Sequence, residues 1–209
     1  MNWLMSILFA RILKKSGSGG GGGGDVEQYK PLTGIVFEAK TYYKIEGFKL
    51  HGSDTVRFSA SFDKACNVFG CYTNAGASDN YSLYISTSSG SKYLRYDGGT
   101  YASYVSSSQY GTKYDVVITP TGSTGLPNSN DNWTEKEFTT SVDMCIGTTS
   151  VDATSSKFDG IMFGNLIVDG RFYGIPVERQ SDGVVGYYDA YSDKFYEPIG
   201  TNPEKLGYA

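Results

Sequence analysis

Val56-Arg57-Phe58-Ser59-Ala60-Ser61-Phe62 sets Val56, Phe58, Ala60 and Phe62 on one side of the chain and Arg57, Ser59 and Ser61 on the other. A period of two is the mark of a half-buried β-strand. The rhythm recurs outward from this stretch. Tyr81, Leu83 and Ile85 line one face of a second strand. Tyr93–Tyr96 and Thr100–Val105, joined across Asp97-Gly98-Gly99, read as a hairpin around a glycine turn. Tyr114–Thr119 reads as a strand stopped by Pro120, and residues 121–132 as a Gly/Pro/Asn/Ser loop. Phe138–Ile146 and Ile161–Val168 are further strands, and Asp169-Gly170 a two-residue turn into Arg171-Phe172-Tyr173. These make roughly ten short strands without a repeat of solenoid period. After Lys15 nothing has helical periodicity. The expected fold class is all-β, an antiparallel sandwich or jelly roll.

Composition agrees. Of the 209 residues, 15% are aromatic, with 18 Tyr, and Gly, Ser and Thr are abundant, as in a turn-rich β-domain. The net charge of -4 and the absence of a basic stripe argue against a nucleic-acid partner. Cys66, Cys71 and Cys145 form an odd set without CxxC spacing, and His51 is the single histidine. A Cys/His zinc site is thereby nearly excluded, and three reduced, mostly buried thiols are expected, Cys66–Cys71 pairing being left open. No metal and no cofactor is expected.

The N-terminus has another character. Met1–Leu13 is almost wholly apolar and closes on Lys14 and Lys15; Ser16-Gly17-Ser18 and six glycines, Gly19–Gly24, follow. The first fifteen residues lack Gly and Pro and read as a helix about 20 Å long, short of the roughly 30 Å hydrocarbon core of a bilayer. The Gly/Ser stretch is a flexible coil spanning roughly 15–18 Å. Arg11, Lys14 and Lys15 follow the apolar run, which is the wrong order for a secretory signal, and no small-x-small cleavage site comes after. A lone short helix needs a partner for its apolar surface. Docking into a protein pocket or self-association through Trp3, Leu4, Ile7, Leu8 and Ile12 is the preferred reading. A membrane surface or a degenerate signal are the alternatives. The expected organisation is residues 1–15 as an anchor helix, 16–27 as linker, 28–174 as a jelly-roll domain and 175–209 as a tail packed on it.

Catalytic constellations are weak. Glu135-Lys136-Glu137 lacks the third carboxylate and the spacing of a glucanase strand and reads as a solvated turn. His51, in Leu50-His51-Gly52-Ser53-Asp54, has no nucleophile motif beside it. Asp79-Asn80, Asp97 and Asp159 read as turn residues rather than calcium ligands. The glycine run lacks the Lys-Ser/Thr of a phosphate loop. Tyr96, Tyr101, Tyr104, Tyr110 and Trp133 sit among Ser, Thr, Asn and Gly. Such aromatics are candidates to stack on sugar while their polar neighbours bond its hydroxyls; strand propensity favours the plainer reading, ordinary strand tyrosines with one wet edge.

Two C-terminal stretches carry a family resemblance. Lys157-Phe158-Asp159-Gly160-Ile161 followed by Leu166-Ile167-Val168-Asp169-Gly170-Arg171 resembles the closing strands of laminin-G-like, concanavalin A-like jelly rolls. Ile175-Pro176-Val177-Glu178-Arg179-Gln180-Ser181-Asp182-Gly183-Val184-Val185-Gly186-Tyr187-Tyr188-Asp189, with Lys194-Phe195-Tyr196, resembles a tail that follows such jelly rolls in structural proteins of tailed phages of gut bacteria. The resemblance implies a virion protein, not an enzyme. It would be a head fibre, decoration protein or tail appendage, docked on other virion proteins by its N-terminal helix and forming a homo-oligomer such as a trimer, with a possible glycan ligand. The other readings are a purely structural virion joint and a membrane-tethered bacterial surface protein that binds glycan.

Overall fold

The computed structural model describes residues 28–73, 77–85, 91–96, 99–104, 110–126, 136–149 and 157–209; within 91–104 it describes the backbone alone. The expected anchor helix and linker lie outside these residues. Sixteen strands and no helix occur among the described residues. They are β1 (Tyr29–Glu38), β2 (Thr41–Ile45), β3 (Val56–Phe62), β4 (Cys66–Cys71), β5 (Tyr81–Ile85), β6 (Ser91–Tyr96), β7 (Gly99–Tyr104) and β8 (Tyr114–Thr119). The rest are β9 (Gly122–Thr124), β10 (Met144–Ile146), β11 (Asp159–Val168), β12 (Phe172–Arg179), β13 (Val185–Asp189), β14 (Lys194–Tyr196), β15 (Ile199–Gly200) and β16 (Glu204–Tyr208).

They form two antiparallel sheets. One runs β14-β13-β12-β1-β11-β3-β8-β9 with β16 added on β1; the other runs β15-β2-β10-β4-β5-β6-β7. The alternating side chains of β3 explain the layering. Val56, Phe58, Ala60 and Phe62 are almost fully buried against the second sheet, and the Phe58 ring stands edge-on to Phe69 of β4 at 5.4 Å. Phe37, Phe62 and Phe158 interlock in the same core. The fold is a β-sandwich.

Four local readings need correction. The loop expected over residues 121–132 contains β9, whose Gly122–Thr124 folds back on Val117–Thr119; three residues are too few to show a period. The strand expected over Phe138–Ile146 shrinks to Met144–Ile146, preceded by a bridge from Thr139 to His51. Thr140 is why: its hydroxyl accepts the Leu50 amide and donates to the Val142 carbonyl, diverting the backbone from the ladder. The Asp169 turn takes three residues, with the Arg171 amide bonded to Val168 and Gly170 at a φ of 71°. The strand count exceeds the expected ten because several pieces are two or three residues long.

The C-terminal motif builds β12, β13 and β14. Tyr187 of β13 points into the core, and Gly186 beside it has no room for a side chain, since a Cβ there would come within 2.5 Å of the Phe195 ring. The Arg179 guanidinium bridges Asp182 at 2.6–3.0 Å and Glu197, and lies over Phe195 at 4.9 Å. Asp189, only 2% exposed, accepts hydrogen bonds from the amides of Tyr173, Tyr191 and Ser192 and from the Ser192 hydroxyl. β12 runs unbroken through residues 174 and 175, where the jelly roll was expected to give way to the tail.

Candidate functional site

The alternation that buries Phe58 turns Arg57 and Ser59 to the opposite face of the nine-stranded sheet. Val117 and Asp115 of β8 lie directly across from them, and Ile167 and Phe163 of β11 flank them on the other side. Cross-strand partners share a face. Between Phe163 and Ile167 the register slips, so β11 bulges at Gly164 and Asn165. With Leu206 of β16 opposite, these residues line a groove of about 710 Å³, within the usual range for small-molecule sites.

Its floor is apolar, made by Val117, Phe163, Ile167 and Leu206. Its rim is charged but balanced. The Arg57 guanidinium makes three hydrogen bonds of 3.0–3.1 Å to the Asp169 carboxylate. The Lys113 ammonium lies 5.2 Å from the centre of the Phe163 ring and 3.9 Å from Asp115. The Ser59 hydroxyl donates to Asp115, and the Asn165 amide donates to the Tyr173 hydroxyl at 3.0 Å. An apolar ring therefore sits among hydroxyl, amide, carboxylate and guanidinium groups whose charges largely cancel. Such a surface suits a ligand with an apolar face and many hydroxyls.

Of the residues singled out from sequence, none of those described lines this groove. Tyr96 closes β6, and Tyr101 and Tyr104 lie on β7, at the far edge of the seven-stranded sheet; their side chains lie outside what is described. Tyr110 is half-buried in the turn before β8. Trp133, Glu135, Asp97 and the anchor residues Trp3, Leu4, Ile7, Leu8 and Ile12 fall outside the described residues. His51 and Ser53 share a second, smaller pocket of about 300 Å³ with Glu137 and Thr139. Asp79 accepts the Ser141 amide at 2.7 Å. Asp159 is salt-bridged to Lys64.

Cys66, Cys71 and Cys145 are buried and unpaired. Burial pushes their thiols up to about 12, 11 and 12 respectively. Among the described residues no group of three or more His, Cys, Asp or Glu stands together to hold a metal, and no helix is long and apolar enough to cross a membrane.

Arg57, Lys113, Phe163 and Asn165 were not foreseen as site residues. The signal for Arg57 was present in the alternation of Val56–Phe62. The bulge that brings Asn165 to the groove has no marker except the glycine before it. No protein-family model matches the chain, and no curated protein matches it.

Proposed function

We propose that the chain is a display component of a tailed-phage particle, a head fibre, decoration protein or tail appendage, whose sandwich binds glycan in the groove over Phe163. One observation carries the binding reading: an aromatic ring on an open sheet face, ringed by Arg57, Ser59, Lys113, Asp115 and Asn165. Sugars stack an apolar face on such a ring and bond their hydroxyls to such neighbours.

The sandwich is read as a jelly roll of the concanavalin A-like kind. The strand orders β1-β11-β3-β8 and β2-β10-β4-β5 support this, because the chain crosses repeatedly from sheet to sheet and its early strands pair with late ones. Met1–Lys15 is the plug for another virion protein or for further copies of the chain, and Ser16–Gly24 the slack between particle and head. Many copies on one particle would turn weak sugar binding into firm attachment by avidity.

The test uses the full chain, multimerised through a C-terminal tag, on an array of mucin and bacterial-surface glycans. Binding that falls when Phe163 becomes Ala supports the reading; silence of the avid wild-type multimer overturns it and leaves the purely structural joint. Incorporation of a chain lacking Met1–Lys15 into particles as efficiently as the intact chain would overturn the docking role.

A further inference from the structure

The groove does not end the aromatic surface on this face of the sheet. Tyr173 of β12 is the cross-strand partner of Ile167, a floor residue, so it stands on the same face. Its hydroxyl receives the hydrogen bond from Asn165, which lines the groove. The Tyr191 ring stands edge-on to Tyr173, with centroids 6.4 Å apart and planes at 88°. Phe163, Asn165, Tyr173 and Tyr191 thus form a continuous rail from the groove to the turn between β13 and β14.

Tyr191 is 56% exposed, the most exposed of the large apolar side chains described. Yet its backbone is held firmly. The buried Asp189 carboxylate takes the amides of Tyr191 and Ser192 together with the Ser192 hydroxyl, and ties this turn to β12 through the Tyr173 amide. An exposed ring on a preorganised backbone loses little entropy on binding. A solvated turn has no need of an aromatic ring, whereas a binding rail does.

We infer that Tyr191, backed by Tyr173, is a second stacking platform, and that the face takes a linear, uncharged glycan long enough to cover both platforms. This rests on the groove being a glycan site. The class of ligand follows from the rail: its links are phenyl, phenol and amide groups, and the two cations beside the groove are already matched by Asp169 and Asp115. The open course from Phe163 to Tyr191 suits the interior of a polymer chain.

The experiment measures binding of the full chain to a printed series of neutral gluco-, manno- and xylo-oligosaccharides, from disaccharides to octasaccharides, at low and high salt. Affinity should rise with length and change little with salt. Tyr191→Ala should weaken the long members about three- to tenfold, the worth of one aromatic contact, and leave the shortest ones that bind unchanged. Tyr191→Phe should bind as wild type. The inference is overturned if Tyr191→Ala leaves the long members unaffected, if it weakens short and long members equally, or if acidic glycans alone bind with steep salt dependence. Phe163→Ala tells the two failures apart: if it too leaves every affinity unchanged, or if nothing on the series binds, the groove itself is not the glycan site. Thermal unfolding of each variant confirms the fold.

Discussion

The Tyr43 ring of β2 stands edge-on against the Tyr187 ring of β13, with centroids 5.1 Å apart and planes at 88°, an aromatic contact between the two sheets like that of Phe58 with Phe69. The hydroxyls differ. Tyr43 donates to the Val185 carbonyl at 3.1 Å, whereas the fully buried Tyr187 hydroxyl has no hydrogen-bond partner among the described residues. A buried polar group without a partner is a standing cost. Tyr187→Phe should therefore leave stability unchanged or raise it by about 1 kcal/mol, while Tyr43→Phe should lower it by about 1 kcal/mol. Urea denaturation of the two variants reads the contrast, and equal losses would contradict it.

Asp54 is 5% exposed and is matched by Arg171, which also donates to the Lys49 carbonyl at 2.8 Å and lies over the Phe48 ring at 4.9 Å. Arg171→Leu leaves the buried carboxylate without its cation, held by the His51 amide at 2.7 Å, and should cost about 3 kcal/mol. Adding Asp54→Asn should recover part of that loss. A double-mutant cycle by chemical denaturation measures the coupling.

Gly186→Ala drives a methyl group into the Phe195 ring and the Tyr196 carbonyl, both 2.5 Å away. A destabilisation of about 1–3 kcal/mol is expected. Trimming the ring as well, in Gly186→Ala/Phe195→Leu, should do better than the single change. Thermal melts of both variants decide it.

The three thiols are buried and raised far above the ordinary thiol range by that burial. They stay protonated and shielded at pH 8, so an aromatic disulfide reagent should find no reactive thiol in the native chain and three after denaturation. Fast labelling of the native protein would contradict the buried placement.

Strand β16 is held to its neighbours by a small polar cluster. Lys205 donates to Glu178 at 2.8 Å and to the Tyr208 hydroxyl, and Lys30 lies over the Tyr208 ring. The hydrogen bond from Lys205 is the main cause of the lowered Glu178 carboxyl, and Glu178 likewise raises the Lys205 ammonium. A lowered acid stabilises above its unfolded value and loses that support as pH falls through its folded one. A raised base stabilises below its unfolded value and loses that support as pH rises through its folded one. The cluster should therefore be strongest from about pH 5 to about pH 10. Hydrogen exchange of the Glu204–Tyr208 amides, corrected for intrinsic rate, should quicken below that window, and in Glu178→Gln the acid limb should vanish.

Reading the sequence recovered what depends on period and failed where single contacts rule. The alternation of Val56–Phe62 carries both the buried and the exposed face of β3, and Tyr114–Thr119 is a strand to the residue. Tyrosines surrounded by small polar residues stand out in sequence because local composition is all that a window of sequence offers. The groove was not legible in that way, because it joins residues 57, 113, 163 and 206, distant along the chain and adjacent only through strand order. Tyr191 looks like any turn residue until Asp189 is seen to lock the loop beneath it.

The pairing of β1 has a consequence for how the protein is made. Residues 29–38 find their partners at 159–163, 177–179 and 204–208. On a ribosome the first strand of the sandwich emerges more than a hundred residues ahead of any of them. Loop closure over such distances is slow, and an unpaired edge is exposed meanwhile. The nascent chain cannot finish its larger sheet until Glu204–Tyr208 have left the ribosome, long after β1 has. That interval of unfinished edges is where strand exchange between neighbouring nascent chains would begin.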